Sequence, residues 1–306
     1  MRPNTRSRHL ALVVVLGALV WLGAAEPGTE APTEVSASPE ATAGDGDSAP
    51  TEEAQAVAED PDAALDGREI YKRMLDNRYK SFVQTCEMVS GDRAGNQQET
   101  RMRMAYENQR GPDDEPLDGT TLSKTLVRYT YPPELRHSGY LAIQNVGRPD
   151  DQFVYRRSSR RIQRVNLRKE AVFGTDFSFE DLFPREIEDA TYERDIDTDW
   201  EGESVFVVTA TPTPIAASEY SKFQTYIDKQ RYIPLRSIYW NEENVLIKEL
   251  SSPADRVEQH DHVWVPMEST MRNLREQSFT VLTIKTIEPN VKIRRREFDI
   301  RKLESR

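Results

Sequence analysis

Between residues 81 and 287 the chain is cut into short runs in which apolar and polar side chains alternate, joined mostly by short links. The runs lie at 81–90, 100–107, 122–131, 139–145, 152–155, 192–196, 204–210, 221–228, 234–240, 245–250, 263–273 and 278–287. A period of two puts alternate side chains on opposite faces of a strand. Turn-rich links such as 91–96 and 241–244 suit hairpins, so the pattern predicts one large antiparallel sheet. In 221–228, Phe223, Thr225 and Ile227 point one way and Lys222, Gln224 and Tyr226 the other. In 278–287, Phe279, Val281 and Thr283 alternate with Thr280, Leu282 and Ile284. One face of the sheet is consistently apolar and the other varies.

So many strands with so few helices suit a packed sandwich poorly. A strongly curved sheet wrapped around a helix and a plug fits better. The fold class expected is mainly β (α+β). The best helix spans 63–80, with Ala63, Ala64, Ile70, Tyr71, Met74, Leu75 and Tyr79 largely on one face and Asp62 as N-cap. Candidates for an apolar inner wall are Tyr71, Met74, Leu75, Phe223, Ile227, Phe279 and Val281.

Residues 153–183 break the pattern. A strand, Phe153-Val154-Tyr155, leads into a basic turn, and Phe173-Gly174-Thr175-Asp176-Phe177-Ser178-Phe179-Glu180-Asp181-Leu182 follows. Gly174 tolerates a positive φ. Ser178 with Asp181 reads as a capping box, so a short helix is expected to start near Phe179. Phe173, Phe177, Phe179 and Phe183 carry more apolar surface than an exposed loop should. They either stopper the edge of a β core or form a movable plug, held by few tight contacts, over an apolar cavity.

This stretch resembles the LolA-like outer-membrane lipoprotein-sorting family. The residues that carry the resemblance are Tyr155, Arg160, Arg161, Ile162, Phe173, Gly174, Asp176, Phe177, Ser178, Phe179, Glu180, Asp181 and Leu182. Phe179 replaces the commoner Tyr, and Thr175 sits where Ser is usual. The likeness runs over 63–306. It implies an open half-barrel of antiparallel strands, its concave side covered by helices. It also implies a non-enzymatic periplasmic carrier that holds acyl chains of lipoproteins or other lipids on the way to the outer membrane. An inner-membrane exporter is the partner it suggests. Arg160, Arg161, Phe173, Gly174, Asp176, Phe177, Phe179, Asp181 and Leu182 become the ligand-binding or lid candidates.

The N-terminal region is of another kind. Arg2, Arg6 and Arg8 precede an apolar run, 10–22, and then Gly23-Ala24-Ala25. That is the layout of a secretory signal peptide, cleaved after Ala25, or of an inner-membrane tether if it stays. Residues 26–62 hold eleven Asp or Glu and no Lys or Arg, in a background of Ala, Pro, Ser, Thr and Gly. Such a segment cannot bury enough apolar area to offset ordering entropy and is expected to be a disordered linker. It also accounts for most of the net charge of −11.

Little in the chain points to chemistry. The single Cys, Cys86, lies in a strand and reads as a small buried hydrophobe. His260 and His262 flank Asp261, which suits a solvated hairpin turn better than a metal site. No nucleophile elbow, zinc motif or phosphate-binding glycine loop is present. The expectation is no enzyme, no metal and no cofactor. The basic run Arg156, Arg157, Arg160, Arg161, Arg164, Arg168 and Lys169 is either a solvated face or a contact for an anionic partner such as a lipid headgroup. Export argues against nucleic acid. A second basic cluster is Lys292, Arg294, Arg295 and Arg296. A monomeric carrier is the leading reading, and a periplasmic adaptor that binds a protein without lipid is the runner-up.

Overall fold

A computed structural model describes residues 62–304, apart from 63, 112, 113 and 184. The signal peptide and nearly all of the acidic linker lie outside the described residues. The first half of the sheet is a meander of β1 (Ser81–Gly91), β2 (Gln97–Asn108), β3 (Thr121–Tyr131), β4 (Gly139–Asn145), β5 (Asp151–Arg156) and β6 (Arg161–Val165). The second half holds β7 (Ala190–Arg194), β8 (Thr198–Trp200), β9 (Glu203–Pro212), β10 (Lys222–Asp228), β11 (Pro234–Trp240) and β12 (Leu246–Ser251). It ends with β13 (Val257–His260), β14 (Val263–Pro266), β15 (Glu268–Asn273) and β16 (Ser278–Pro289).

Fourteen strands form one antiparallel sheet in the order β6-β5-β4-β3-β2-β1-β16-β15-β12-β11-β10-β9-β7, with β8 paired to β9. The outer strands β6 and β7 do not meet, so the curved sheet stays open. The two halves join through β1 and β16, paired from Phe82↔Pro289 to Gly91↔Phe279. β13 and β14 form a separate two-stranded hairpin. The expected strand 263–273 is thus divided, because β14 ends at Pro266 and β15 begins two residues later. The sequence pattern also missed β6, β8 and β13, which are short and expose most of their side chains.

Burial separates the two faces strand by strand. On β9, Phe206, Val208 and Ala210 enter the main concave core while Val205 and Val207 pack on the other side. On β2, Met102 and Met104 point inward and Ala105 outward. The alternation in 278–287 is real, but its inward set is Thr280, Leu282 and Ile284, not Phe279 and Val281. Phe279 is 37% exposed on the outer face. Its ring lies over Gly91, where a Cβ would come within 2.6 Å of it. Alternation defines two faces without saying which is concave, and here the aromatic face is the outer one.

The one α-helix among the described residues, α1 (Gly67–Asp76), is shorter than the expected 63–80. Its N-cap is Asp66, not Asp62: the Asp66 carboxylate accepts from the Glu69 backbone N–H at 2.8 Å. The helix enters so close to β7 that a Cβ on Gly67 would stand 2.7 Å from the Arg194 nitrogen. It stops at Asn77, whose side chain turns away to bond both backbone groups of Trp264, at 2.9 and 3.0 Å. α1 therefore links the sheet's second half to the β13–β14 hairpin. Removing the N-cap by Asp66→Ala should destabilise the domain by about 1 kcal/mol, read as a lowered urea midpoint at unchanged slope.

Candidate functional site

The side chains of the described residues do not fill the concave face completely. A cavity of about 430 Å³ remains between β1, β2, β16 and the elements that cover them. Its floor carries Phe82, Cys86, Met88, Met102, Met104 and Leu282. Four of the chain's seven methionines (Met74, Met88, Met102 and Met104) border it. Unbranched thioethers adapt to guests of different outline better than branched side chains do. The volume lies within the usual range of small-molecule sites, roughly 300–1,000 Å³.

Three elements cover this floor. The last turn of α1 brings Met74 and Leu75; the 177–183 segment brings Phe177, Leu182 and Phe183; β14 brings Val263 and Val265. They are fastened very differently. The β13–β14 hairpin is held by the Asn77 pair, by Tyr79 Oη donating to the His260 carbonyl at 2.9 Å, and by Asn290 Nδ2 donating to Asp261 Oδ2 at 2.6 Å. Val263 and Val265 pack against Tyr79 and neighbours.

The aromatic segment is anchored at both ends by buried polar groups. It folds back on itself through a bridge between Ala171 and Ser178, with Phe173 and Gly174 both at positive φ, +34° and +77°. At the tip, the Asp176 N–H donates to Thr280 Oγ1 at 2.9 Å, and Thr280 Oγ1 donates to Asp176 Oδ2 at 2.7 Å. Phe179 packs at a tilt against Tyr140 with ring centroids 4.5 Å apart, and Phe173 meets Tyr129 edge-on at 4.8 Å. The expected short helix is a single 3-10 turn, Glu180–Leu182. Asp181 Oδ2 accepts from both the N–H and the Oγ of Ser178, at 2.8 and 2.9 Å.

The acidic pair after the aromatics grips the far half of the sheet. Glu180 accepts from Arg185 Nη1 at 2.9 Å, from Ser218 Oγ at 2.6 Å and from the Glu219 N–H at 2.9 Å. Asp181 Oδ1 accepts from Tyr220 Oη at 2.8 Å, and Lys248 Nζ reaches both Glu219, at 3.1 Å, and Asp181, at 3.4 Å. Burial, with Asp181 adding to it, pushes the Tyr220 phenol well above its ordinary pKa, so it remains a donor. The Arg185 guanidinium lies over the Phe223 ring at 4.2 Å and borders the cavity. Of the two readings open from the sequence, a stopper on the core edge or a loosely held plug, these contacts fit the stopper.

The structure brings Phe173, Gly174, Asp176, Phe177, Phe179, Asp181 and Leu182 together in this stopper. Of these, Phe177, Asp181 and Leu182 reach the cavity. Met74 and Leu75 line it as well. Tyr71, Phe223 and Ile227 face the same side but are buried in the solid core, with Tyr71 against Tyr192 at 4.5 Å. Phe279 and Val281 face away, and Arg160 and Arg161 sit at the exposed β5–β6 turn, apart from the cavity walls. Sequence reasoning missed Met88, Met102, Met104, Leu282 and Arg185. Strict alternation of Arg101, Met102, Arg103 and Met104 was the signal available.

Among the described residues no cluster of His, Cys, Asp and Glu could hold a metal. His260 and His262 lie at the β13–β14 turn beside Glu258 and Asp261. Burial pushes the Cys86 thiol up to about 12, which leaves it inert at neutral pH.

A family model described only as an uncharacterized protein matches residues 121–305. None of the curated proteins matches the chain. Several solved structures share its fold. A domain from Vibrio parahaemolyticus assigned to outer membrane lipoprotein sorting is 22% identical, with a TM-score of 0.69 over 78% of this chain and 98% of that one. A DUF1329 family protein from Desulfovibrio piger is 19% identical, with a TM-score of 0.71 over 78% and 97%. A LolA superfamily protein from Nitrosomonas europaea is 14% identical, with a TM-score of 0.60 over 77% and 98%. At these identities the likeness establishes the open LolA-like fold.

Phe179, 3% exposed, is core as well as stopper. Phe179→Ala should cost about 3–5 kcal/mol, and Asp181→Ala about 1–3 kcal/mol by leaving the Ser178 and Tyr220 donors without their acceptor; urea titration measures both. Iodoacetamide should label Cys86 orders of magnitude more slowly in the native protein than in urea, and equal rates would contradict its burial.

Proposed function

We propose that this chain, which belongs to the uncharacterized-protein family matched over residues 121–305, is a non-enzymatic periplasmic carrier. It takes acyl chains of lipoproteins or other lipids into the cavity under α1, the stopper and β14, and conveys them toward the outer membrane. The observation that carries this reading is the methionine-rich hollow of about 430 Å³ in a sheet that the chain does not fill itself. Each methylene moved from water into such a lining contributes about 0.8 kcal/mol, so a partly inserted chain binds usefully. The LolA-like fold and the leader-like N-terminus support the periplasmic setting. Residues 1–25 act as the export signal, residues 26–62 as a spacer, and an inner-membrane exporter as donor.

Loading and release work through the weaker cover. The stopper is held by its carboxylates to β16, to the segment before β10 and to β12, whereas the β13–β14 hairpin shares no ladder with the large sheet. Swinging that hairpin about residues 251–257 and 266–268 opens the cavity while the stopper stays in place.

Native mass spectrometry of protein purified from its own host should show bound lipid, and solvent extraction should remove it. A fluorescent fatty acid should bind saturably, and Leu282→Trp, which fills the hollow, should weaken that binding at least tenfold with the fold retained by circular dichroism. Asn77→Ala should speed probe release several-fold at little change in the sheet's stability. Protein that runs at its bare mass and binds no probe would leave the adaptor, which engages a protein partner without lipid, as the better reading.

A further inference from the structure

The β5–β6 hairpin carries a charge pattern that the cavity does not use. Arg156, Arg157, Arg160 and Arg161 surround its turn, all exposed, and none has a carboxylate partner among the described residues. Arg164 on the same strand behaves differently, pairing with Asp151 at 2.5 Å. Shielding an edge strand from aggregation needs charges along the strand. It does not explain four guanidiniums gathered at the turn.

A second basic element lies against the same hairpin. After β16 the chain crosses the outer face of the sheet as a strap of two 3-10 turns, Arg295–Phe298 and Ile300–Glu304. Phe298 and Leu303 pin it over Ala105, Leu126 and Leu141, with Phe153, Tyr155 and Ile162 alongside. Leu303 stands 3.1 Å from where a Gly139 Cβ would be, and Gly139 pairs with Tyr155, the residue before Arg156. The exposed residues of the strap are net basic: Lys292, Arg294, Arg295, Arg296 and Arg301 outnumber Asp299 and Glu304, and no carboxylate pairs with the four arginines among the described residues. Between them Ile300 is 36% exposed.

We propose that the β5–β6 turn and the C-terminal strap form one docking surface for an anionic phospholipid bilayer. Guanidinium forks match phosphate oxygens two at a time. The charges are spread along the turn and the strap on the outer face of the sheet, which suits a field of headgroups better than one captured phosphate. An exposed isoleucine among arginines fits the boundary between headgroups and acyl chains. The surface lies on the side of the sheet opposite the cavity, so docking leaves the cavity unobstructed. This goes beyond the carrier reading and does not depend on the cavity holding lipid.

The test is sedimentation of the full chain with vesicles of phosphatidylcholine, with and without phosphatidylglycerol. Binding should be in excess on the anionic vesicles and should fall as salt shortens the screening length. The combined change Arg156→Gln, Arg157→Gln, Arg160→Gln and Arg161→Gln should lower that excess about tenfold or more. The pair Arg272→Gln and Arg275→Gln, exposed on the β15–β16 side, should leave it unchanged. Fatty-acid probe titration on the same samples keeps the two proposals separate, because the four-site variant should retain normal probe affinity. No excess on anionic vesicles, or an excess that survives the four substitutions, overturns the docking surface. So does capture of soluble polyglutamate without vesicle binding, which would assign the patch to an acidic protein.

Discussion

A fourteen-stranded sheet that bends but does not close has one long apolar inner face, and this chain has little with which to cover it. One ten-residue helix, one stopper and one small hairpin are set against the inner sides of the strands. Apolar surface left uncovered costs free energy in proportion to its area, while a void in a close-packed interior forfeits dispersion contacts. The compromise is a hollow lined by flexible thioethers. Met88, Met102 and Met104 form part of that lining.

The stopper shows how such a face can be covered without a second sheet. Its aromatic rings supply burial, but its position comes from carboxylates. Asp176 reaches β16, and Glu180 and Asp181 reach the segment before β10 and the Lys248 ammonium of β12. Buried charges add stability only when paired and fully hydrogen-bonded, and here most of their oxygens are engaged. Ion pairs of this kind select one placement among the many that greasy contacts alone would allow. The hairpin on the other side is fastened differently, by hydrogen bonds from Asn77, Tyr79 and Asn290 and by apolar packing.

Much of this was legible residue by residue. Hairpins announced themselves by alternation, and the 139–145 and 234–240 strands appear with the expected bounds. The aromatic and acidic decapeptide stood out as something that must dock. Other parts were not legible. Arg161–Val165 is an edge strand whose side chains mostly face water, so its composition resembles a loop. Asp66 displaced Asp62 as the helix cap because the helix end abuts the backbone of β7, a contact with no local signature. Phe279 and Val281 looked like inner wall because they are larger and more apolar than Thr280, yet Thr280 faces inward to bond Asp176.

Local pattern was enough to establish an extended antiparallel sheet, its single helix and the presence of a docking aromatic segment, because strand periodicity and turn chemistry act over a few residues. Which face became concave, where the halves joined and what secured the stopper depended on partners far apart in the chain. Ser90 meets Thr280 across 190 positions, and Asp181 meets Lys248 across 67. Those contacts form only after loops close and competing registers lose their burial, and it is the resulting curvature that leaves the hollow on the inner face.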